Sequence, residues 1–267
     1  MTESPKQTVA PEVAVGRRYY AEVLDGLPFG MMVGLLRRTI PLPFAFGITL
    51  SFRIRKWLGL SPLPAYGFGG VGCGTDLSRE KMPSRPMSRW AGWFEDLGDL
   101  GFTPLRFCVG DYIGAKESAS TVWIDSSRNT FACLEWFRMP GASGIEERSS
   151  LEFNSIVRKK SRAETSPVPV TEVMTAMIRE SDMALQDAFK LNYIDTVFFP
   201  DSEKLKSVYL QHHSRLANYS ALVQPDEVAL QTYDRLSQGR LDCIIELGLV
   251  RELTPAEIRE ISKNRLE

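Results

Sequence analysis

The chain has 267 residues, of which 43% are hydrophobic and 24% are charged. This composition is typical of folded globular proteins and excludes a chain that is disordered along most of its length. The length is enough for a sizeable core, in one large domain or two modest ones. The net charge of −1 lacks the basic excess typical of nucleic-acid-binding proteins, so nucleic acid is not an expected partner.

The N-terminal part of the chain differs from the rest in charge and hydropathy. Residues 1–16 are polar and lack the apolar core of a secretory signal, so we expect a disordered tail and no signal peptide. Residues 17–60 form an apolar and basic segment; seven basic and two acidic residues give residues 17–56 a net charge of +5. From Phe44 to Ile54, large apolar side chains alternate with small or polar ones, which predicts a long amphipathic strand.

Three environments stay open for this segment: the core of the main domain, a protein partner or second copy of the chain, and an anionic membrane surface. Arg37 and Arg38 interrupt the apolar run, and Pro41 and Pro43 break a helix that would cross them, so no transmembrane helix is expected. The candidate contact residues are Arg37, Arg38, Phe44, Phe46, Arg53, Arg55, Lys56 and Trp57.

A stretch rich in glycine and proline follows over residues 61–83. Gly67, Gly69 and Gly72 match the GxGxxG pattern of dinucleotide-binding loops, which requires a strand before the loop and a helix directly after it. Here a proline-rich stretch comes first, and no helical pattern begins before about Met87. We therefore expect a flexible linker and no dinucleotide cofactor.

Residues 84–267 are predicted to form the main domain, which begins with an amphipathic helix over residues 84–100. Four strands without an intervening helix come next, which is typical of an antiparallel meander. They are expected at residues 102–109, 118–125, 130–138 and 148–157. The predicted fold class is α+β: an antiparallel meander of four to six strands covered by helices on one side, with a helical C-terminus.

The last third of the chain is mainly helical by its pattern. A helix over residues 171–190 and a short strand over 195–199 precede the C-terminal helices, which begin at about residue 202. Thr254 and Glu257 have the spacing of a capping box, which predicts that the last helix begins at this point.

Three segments of the main domain resemble an uncharacterised bacterial family of hypothetical proteins. They are LGDLGF at 97–102, SLEFNS at 150–155 and EKLKSVYLQHHSRLANY at 203–219. The resemblance covers roughly residues 88–220, a length that suits one domain. Because this family has no known activity, the resemblance implies a shared architecture and no chemistry.

Neither the cysteines nor the histidines have the spacing of a metal site. The four cysteines include no CxxC pair, which argues against bound metal and favours a reducing, cytoplasmic location, with membrane association as the open alternative. His212 and His213 point about 100° apart on a helix, so they cannot easily bind one metal ion together. His212 lies on the apolar stripe of this helix, which favours a hydrogen-bonded core histidine over a ligand-binding residue or a base.

Glu135 is the second candidate, because it interrupts the apolar row of a predicted strand. It is either part of an ion pair on the solvent face, with Glu152 or Arg138 as neighbours, or a carboxylate in a pocket. The basic run at residues 158–162 has no interleaved aromatic residues, so a solvated hairpin tip is favoured over a phosphate or nucleic-acid site.

Two functions follow from these observations. The first is a non-enzymatic interaction module whose N-terminal segment contacts a partner, a second copy or a membrane surface; it needs no catalytic residue, metal or cofactor. The alternative is a small-ligand-binding protein or an enzyme with a cavity between sheet and helices. That cavity would use Glu135, His212 and His213.

Overall fold

A computed structural model describes residues 17–23, 28–37, 40–59, 63–114, 116–141, 144–159, 171–188 and 190–263. Within these ranges the fold is α+β, with two largely antiparallel sheets and seven α-helices, the last of them at the C-terminal end. The predicted α+β class, with antiparallel strands and a C-terminal helix, is confirmed. The tail expected over residues 1–16 lies outside the described residues, as do Arg38 and most of the basic run.

The helices are α1 Phe29–Leu36, α2 Leu42–Trp57, α3 Ser84–Asp99, α4 Glu180–Ala188, α5 Leu205–Leu216, α6 Ala229–Glu246 and α7 Pro255–Ile261. The strands are β1 Tyr19–Glu22, β2 Tyr66–Gly69, β3 Thr75–Leu77, β4 Thr103–Val109, β5 Tyr112–Gly114, β6 Glu117–Ile124, β7 Phe131–Gly141, β8 Gly144–Lys159, β9 Glu172–Ile178, β10 Ile194–Pro200, β11 Tyr219–Ala221 and β12 Val250–Glu252.

The larger sheet has the strand order β10-β9-β8-β7-β6-β4-β3, and β11 pairs with the end of β8. Its centre is the predicted hairpin of β6 and β7, in register from Glu117–Arg138 to Ile124–Phe131. Asp125 holds the turn: its carboxylate accepts hydrogen bonds from the amides of Asn129 (3.0 Å) and Thr130 (3.1 Å). An acidic side chain that bonds backbone amides in this way stabilises a tight turn.

Alternation along the strands gives the larger sheet two different faces. One face packs against α3 and α5 in the main core, a buried cluster that includes Trp90 of α3, Leu205 of α5 and Phe153 of β8. The opposite face contacts α6, where Tyr233 packs on Phe131 and Cys133 of β7. The smaller sheet, of order β12-β1-β2-β5, packs on α7 through buried apolar side chains. Helices therefore contact both faces of the larger sheet, whereas the sequence predicts them on one side; the strands of the sheet carry apolar side chains on both faces.

Three predictions of local structure are wrong. The strand expected from Phe44 to Ile54 is the helix α2, which starts after Pro41 with a proline in its first turn. This position suits proline because the first helical amides have no intrahelical acceptor. The helix expected over residues 171–190 is instead β9 followed by α4, because β9 is buried on both faces and needs no polar side. The linker expected over residues 61–83 contains β2 and β3.

The capping box at the start of α7 is confirmed. The Thr254 hydroxyl accepts a hydrogen bond from the amide of Glu257 (3.3 Å), and the Glu257 carboxylate accepts one from the amide of Thr254 (2.9 Å). Hydrogen bonds from Arg251 lower the pKa of Glu257 to about 2, although partial burial acts in the opposite direction. The last turn of α7 then places Ile261, which is fully buried, against Ile113 of β5.

Candidate functional site

A cavity of about 230 Å³ lies on the face of the larger sheet that contacts α6. Strands β4, β6 and β7 form its floor, with Ser118, Ser120 and Glu135 among the lining side chains. The loop that follows β2 and one turn of α6 at Tyr233 complete the wall. The cavity therefore lies where three separate segments of the chain meet.

The glycines of the 69–74 loop allow it to pack closely on the sheet. A Cβ at Gly74 would lie 2.3 Å from the Cys108 Sγ, closer than real Cβ contacts come, and Gly72 has a φ of +78°. Strand β3 follows directly, with no helix N-terminus that could hold a phosphate. The glycine-rich loop thus forms a wall of the cavity and lacks the geometry of a dinucleotide-binding site.

Glu135 projects from β7 into this cavity, where its side chain remains exposed to solvent. The protein around the carboxyl group nevertheless removes much of its hydration. Burial raises the pKa of Glu135 to about 7, and the nearby charge of Glu152 acts in the same direction. The positive charges of Lys116 and Arg240 offset part of this increase. Glu135 is therefore a carboxyl group that titrates near neutral pH.

The two neighbours considered for an ion pair do not neutralise Glu135. Glu152 lies on the same face of the sheet, directly opposite Cys133, and carries a like charge. Arg138 is three residues from Glu135 along the strand and so points to the other face, where its guanidinium lies 3.5 Å from Glu117. The geometry therefore favours a carboxylate in a pocket.

Lys116 is held beside the cavity by aromatic rings. Its ammonium nitrogen lies 4.5 Å from the ring centre of Tyr66 and 4.9 Å from the ring centres of both Tyr112 and Phe137. Tyr112 and Phe137 also line the cavity. Burial lowers the pKa of Lys116, and the negative charges of Glu22 and then Glu135 counteract part of this effect. This corner of the protein stabilises a cation by ring faces and by a carboxylate.

Arg240 of α6 links the helix to the polar side chains of the sheet. Its guanidinium donates hydrogen bonds to Glu172, to Glu152 (3.2 Å) and to the Asn154 side-chain oxygen (2.8 Å). Glu172 is fully buried, and burial raises its pKa while Arg240 counteracts the increase. Glu152 and Arg240 also line a second cavity, which has a volume of about 310 Å³ and is mainly apolar.

The charges that line the first cavity are mainly acidic. Asp76, Asp111 and Glu135 line it, together with Arg106. Both terminal nitrogens of Arg106 donate to the Asp234 carboxylate, at 3.0 and 2.7 Å, and its Nε lies 3.9 Å from the Asp76 carboxylate. Asp111 accepts a hydrogen bond of 2.9 Å from Arg17.

His212 and His213 do not contribute to either cavity. His212 is fully buried on the other face of the larger sheet, where its ring nitrogens lie 3.0 Å from the Ser155 hydroxyl and 2.9 Å from the Thr175 hydroxyl. Burial and the charge of Arg215 lower the pKa of His212 to about 3. His213 is exposed. The structure therefore does not bring Glu135 and His212 together.

The described N-terminal candidates lie on α2, except for Arg37, which directly follows α1. The two helices pack on each other; Ala45 and Thr49 of α2 are fully buried. Phe44, Phe46 and Trp57 are 67%, 51% and 85% exposed. Arg37, Arg55 and Lys56 are exposed, and Arg53 is half-buried.

The sequence analysis missed Arg240, Glu172 and Lys116. For two of them, the sequence pattern indicates a buried position. Arg240 follows Tyr233 by seven residues on a helix, so it shares the buried face. Glu172 alternates with apolar side chains in β9, the same signal that identified Glu135 in β7. Lys116 had no such signal, because its three rings come from three different strands or their ends.

No protein-family model, curated protein or solved structure matches the chain. Among the residues that the structure describes, no three His, Cys, Asp or Glu side chains converge to hold a metal ion. No helix in the described ranges is long and apolar enough to cross a membrane. The four cysteines are free thiols.

Proposed function

We propose that this protein binds a small organic cation, such as a protonated amine, in the cavity at Glu135. The observation that carries the proposal is the Glu135 carboxylate among the aromatic side chains that line the cavity. Asp76 and Asp111 also line it, but Asp111 pairs with Arg17, and Arg106 pairs with Asp234 and lies 3.9 Å from Asp76, so Glu135 is the carboxylate that a cation would meet. A protonated amine would donate a charge-assisted hydrogen bond to the Glu135 carboxylate and lower the repulsion between Glu135 and Glu152.

The apolar part of the lining also suits an organic cation. Phe68, Tyr112, Phe137 and Tyr233 line the cavity, and ring faces attract positive charge. Lys116 shows the same preference within the chain itself, since its ammonium group lies against two of these rings. The volume of about 230 Å³ is below the range of about 300–1,000 Å³ for drug-sized ligands, so we expect a small one.

Benzylamine and benzyl alcohol are a matched pair of probes, because they share a ring and differ in charge. We expect saturation-transfer NMR and titration calorimetry to detect benzylamine binding and to detect much weaker binding of benzyl alcohol. Glu135→Gln removes the charge and keeps the shape of the side chain, so it should weaken benzylamine binding about tenfold or more. Glu203→Gln changes an exposed carboxylate after β10 and is the control.

Three results would contradict the proposal. They are the absence of benzylamine binding at pH 8, equal binding of the two probes, and equal binding to wild type and Glu135→Gln. Circular dichroism of both variants separates loss of binding from loss of the fold.

The affinity for benzylamine should depend on pH with a defined sign. The carboxylate form of Glu135 predominates above its pKa of about 7, and the amine stays protonated between pH 6 and pH 8. Binding should therefore be about tenfold weaker at pH 6 than at pH 8. Glu135→Gln should show a nearly flat profile over this range, and an unchanged slope in this variant would assign the pH dependence to another group.

A further inference from the structure

The second cavity, of about 310 Å³, lies beside the edge strand β10, on the face of the larger sheet that contacts α6. Strands β9 and β10, helices α4 and α6, and the ends of β1 and β12 surround it. Its apolar side chains are half-buried; they include Val23, Met174, Leu191, Phe198, Ile244 and Leu249. Apolar surface therefore remains available for a ligand to cover.

Strand β10 directs one row of side chains into this cavity. Ile194, Thr196 and Phe198 alternate along the strand, and all three line the cavity. Asp195 points to the opposite face, where it pairs with Arg215 of α5 at 2.8 Å. Thr196 is 7% exposed, and its hydroxyl has no hydrogen-bond partner within the described part of the chain. Because a buried hydroxyl is costly to leave unpaired, this group is the point at which a ligand would form a hydrogen bond.

The charged side chains of the second cavity have partners within the protein. Two are acidic and two are basic: Glu22, Glu152, Lys190 and Arg240. The Tyr66 hydroxyl donates to Glu22 (3.0 Å), and Lys190 lies 2.6 Å from the Asp187 carboxylate. Glu152 accepts its hydrogen bond from Arg240 at 3.2 Å. A charged ligand would lose hydration without meeting an excess of the opposite charge, so the lining favours a neutral one.

We propose that the second cavity binds a neutral, mainly apolar molecule with one hydroxyl group, which forms a hydrogen bond with Thr196. Two hydroxyl groups suit each other because each can donate or accept. An apolar cavity of about 150 Å³ can hold benzene, so about 310 Å³ has room for a bicyclic ring. A single ring would fill about half of this space and bind more weakly. The site is separate from the cavity at Glu135 and does not rest on the function proposed there.

Three probes test this proposal, because they share a bicyclic ring and differ in one substituent. They are 2-naphthol, 2-methylnaphthalene and 2-naphthoate. We expect 2-naphthol, added at pH 7 to the full-length chain labelled at isoleucine and methionine methyl groups, to shift the NMR signals of Ile194, Ile244 and Met174. The described lining of the cavity at Glu135 contains no isoleucine or methionine, so these signals report on the second cavity whatever the result with benzylamine. The charged 2-naphthoate should bind about tenfold more weakly or less.

Thr196→Val replaces the hydroxyl with a methyl group and nearly keeps the shape of the side chain. We expect it to weaken 2-naphthol binding about fivefold or more and to leave 2-methylnaphthalene binding unchanged. Thr121→Val is the matched control. Thr121 is also fully buried with a hydroxyl that no described residue pairs, but it lines neither cavity, so its variant should bind 2-naphthol like the wild type.

Four results would overturn the proposal. Two concern the wild type: 2-naphthol leaves the three methyl signals unshifted, or 2-naphthoate binds as tightly as 2-naphthol. Two concern Thr196→Val: it binds 2-naphthol as tightly as the wild type, or it loses affinity for 2-methylnaphthalene to the same extent. Circular dichroism checks the fold of both variants, and the comparison of probes on the wild type decides the question without them.

Discussion

Arg240→Met is expected to lower the free energy of unfolding by about 3–5 kcal/mol, the usual cost of removing one partner from a buried ion pair. Glu172 is fully buried and would keep a charge with no counterion, while the Asn154 side-chain oxygen would lose its donor. Methionine retains much of the volume of arginine, so the loss would come from the charge and the hydrogen bonds. Urea unfolding followed by circular dichroism at pH 7.5 measures it.

Two further variants separate this cause from a general loss of packing. Glu172→Gln combined with Arg240→Met removes both charges and should recover a substantial part of the stability. Arg235→Met changes an exposed arginine of the same helix and should have little effect. If Arg240→Met were as stable as Arg235→Met, the buried ion pair would not hold α6 on the sheet.

His212→Ala is expected to cost about 3 kcal/mol. The substitution leaves a cavity in the main core and removes the hydrogen-bond partner of the Ser155 and Thr175 hydroxyls. His213→Ala, at the exposed neighbouring position, should be nearly neutral and provides the control. Thermal and urea unfolding of the two variants measure the difference.

The pH dependence of this effect has a definite sign. The folded chain holds the pKa of His212 at about 3, whereas the unfolded chain has an ordinary histidine pKa of about 6.5. The stability due to neutral His212 is therefore complete above pH 6.5 and is lost as the pH falls from 6.5 towards 3. The gap between wild type and His212→Ala should be wider at pH 7.5 than at pH 4.5. A His212→Ala variant with the full stability of the wild type would contradict the structural role of His212.

The elements that the sequence predicts well are those with strong local patterns. Helix α3 repeats its large apolar residues every three or four positions, and a polar turn separates β6 from β7. Helix α2 misled the prediction because its apolar residues surround most of the helix. Between Phe44 and Ile54 the intervening residues are mainly small, so the alternation had no true polar face.

The cavity could be predicted only in part. Glu135 was identifiable because a carboxylate in an apolar row needs an explanation in packing or chemistry. The charged residues around Glu135 were not identifiable. Arg240 is more than a hundred residues away in the sequence, and a local pattern does not encode which helix covers which face of a sheet. The same lack of tertiary information explains why the sequence analysis assigned Glu135 and His212 to one cavity. Periodicity indicates that a residue is buried, whereas only the tertiary fold decides on which side of the sheet the residue lies.

Phe68 has a consequence for ligand size, since its side chain lines both the acidic cavity and the larger apolar one. A rotation about its side-chain torsions would open a passage between the two spaces and create one longer chamber, charged at one end and hydrocarbon-like at the other. If the proposed function holds, the closed arrangement would admit only compact amines, whereas the open one would admit an amine with an alkyl tail. The length of the accepted chain would then depend on the rotamer of a single aromatic ring.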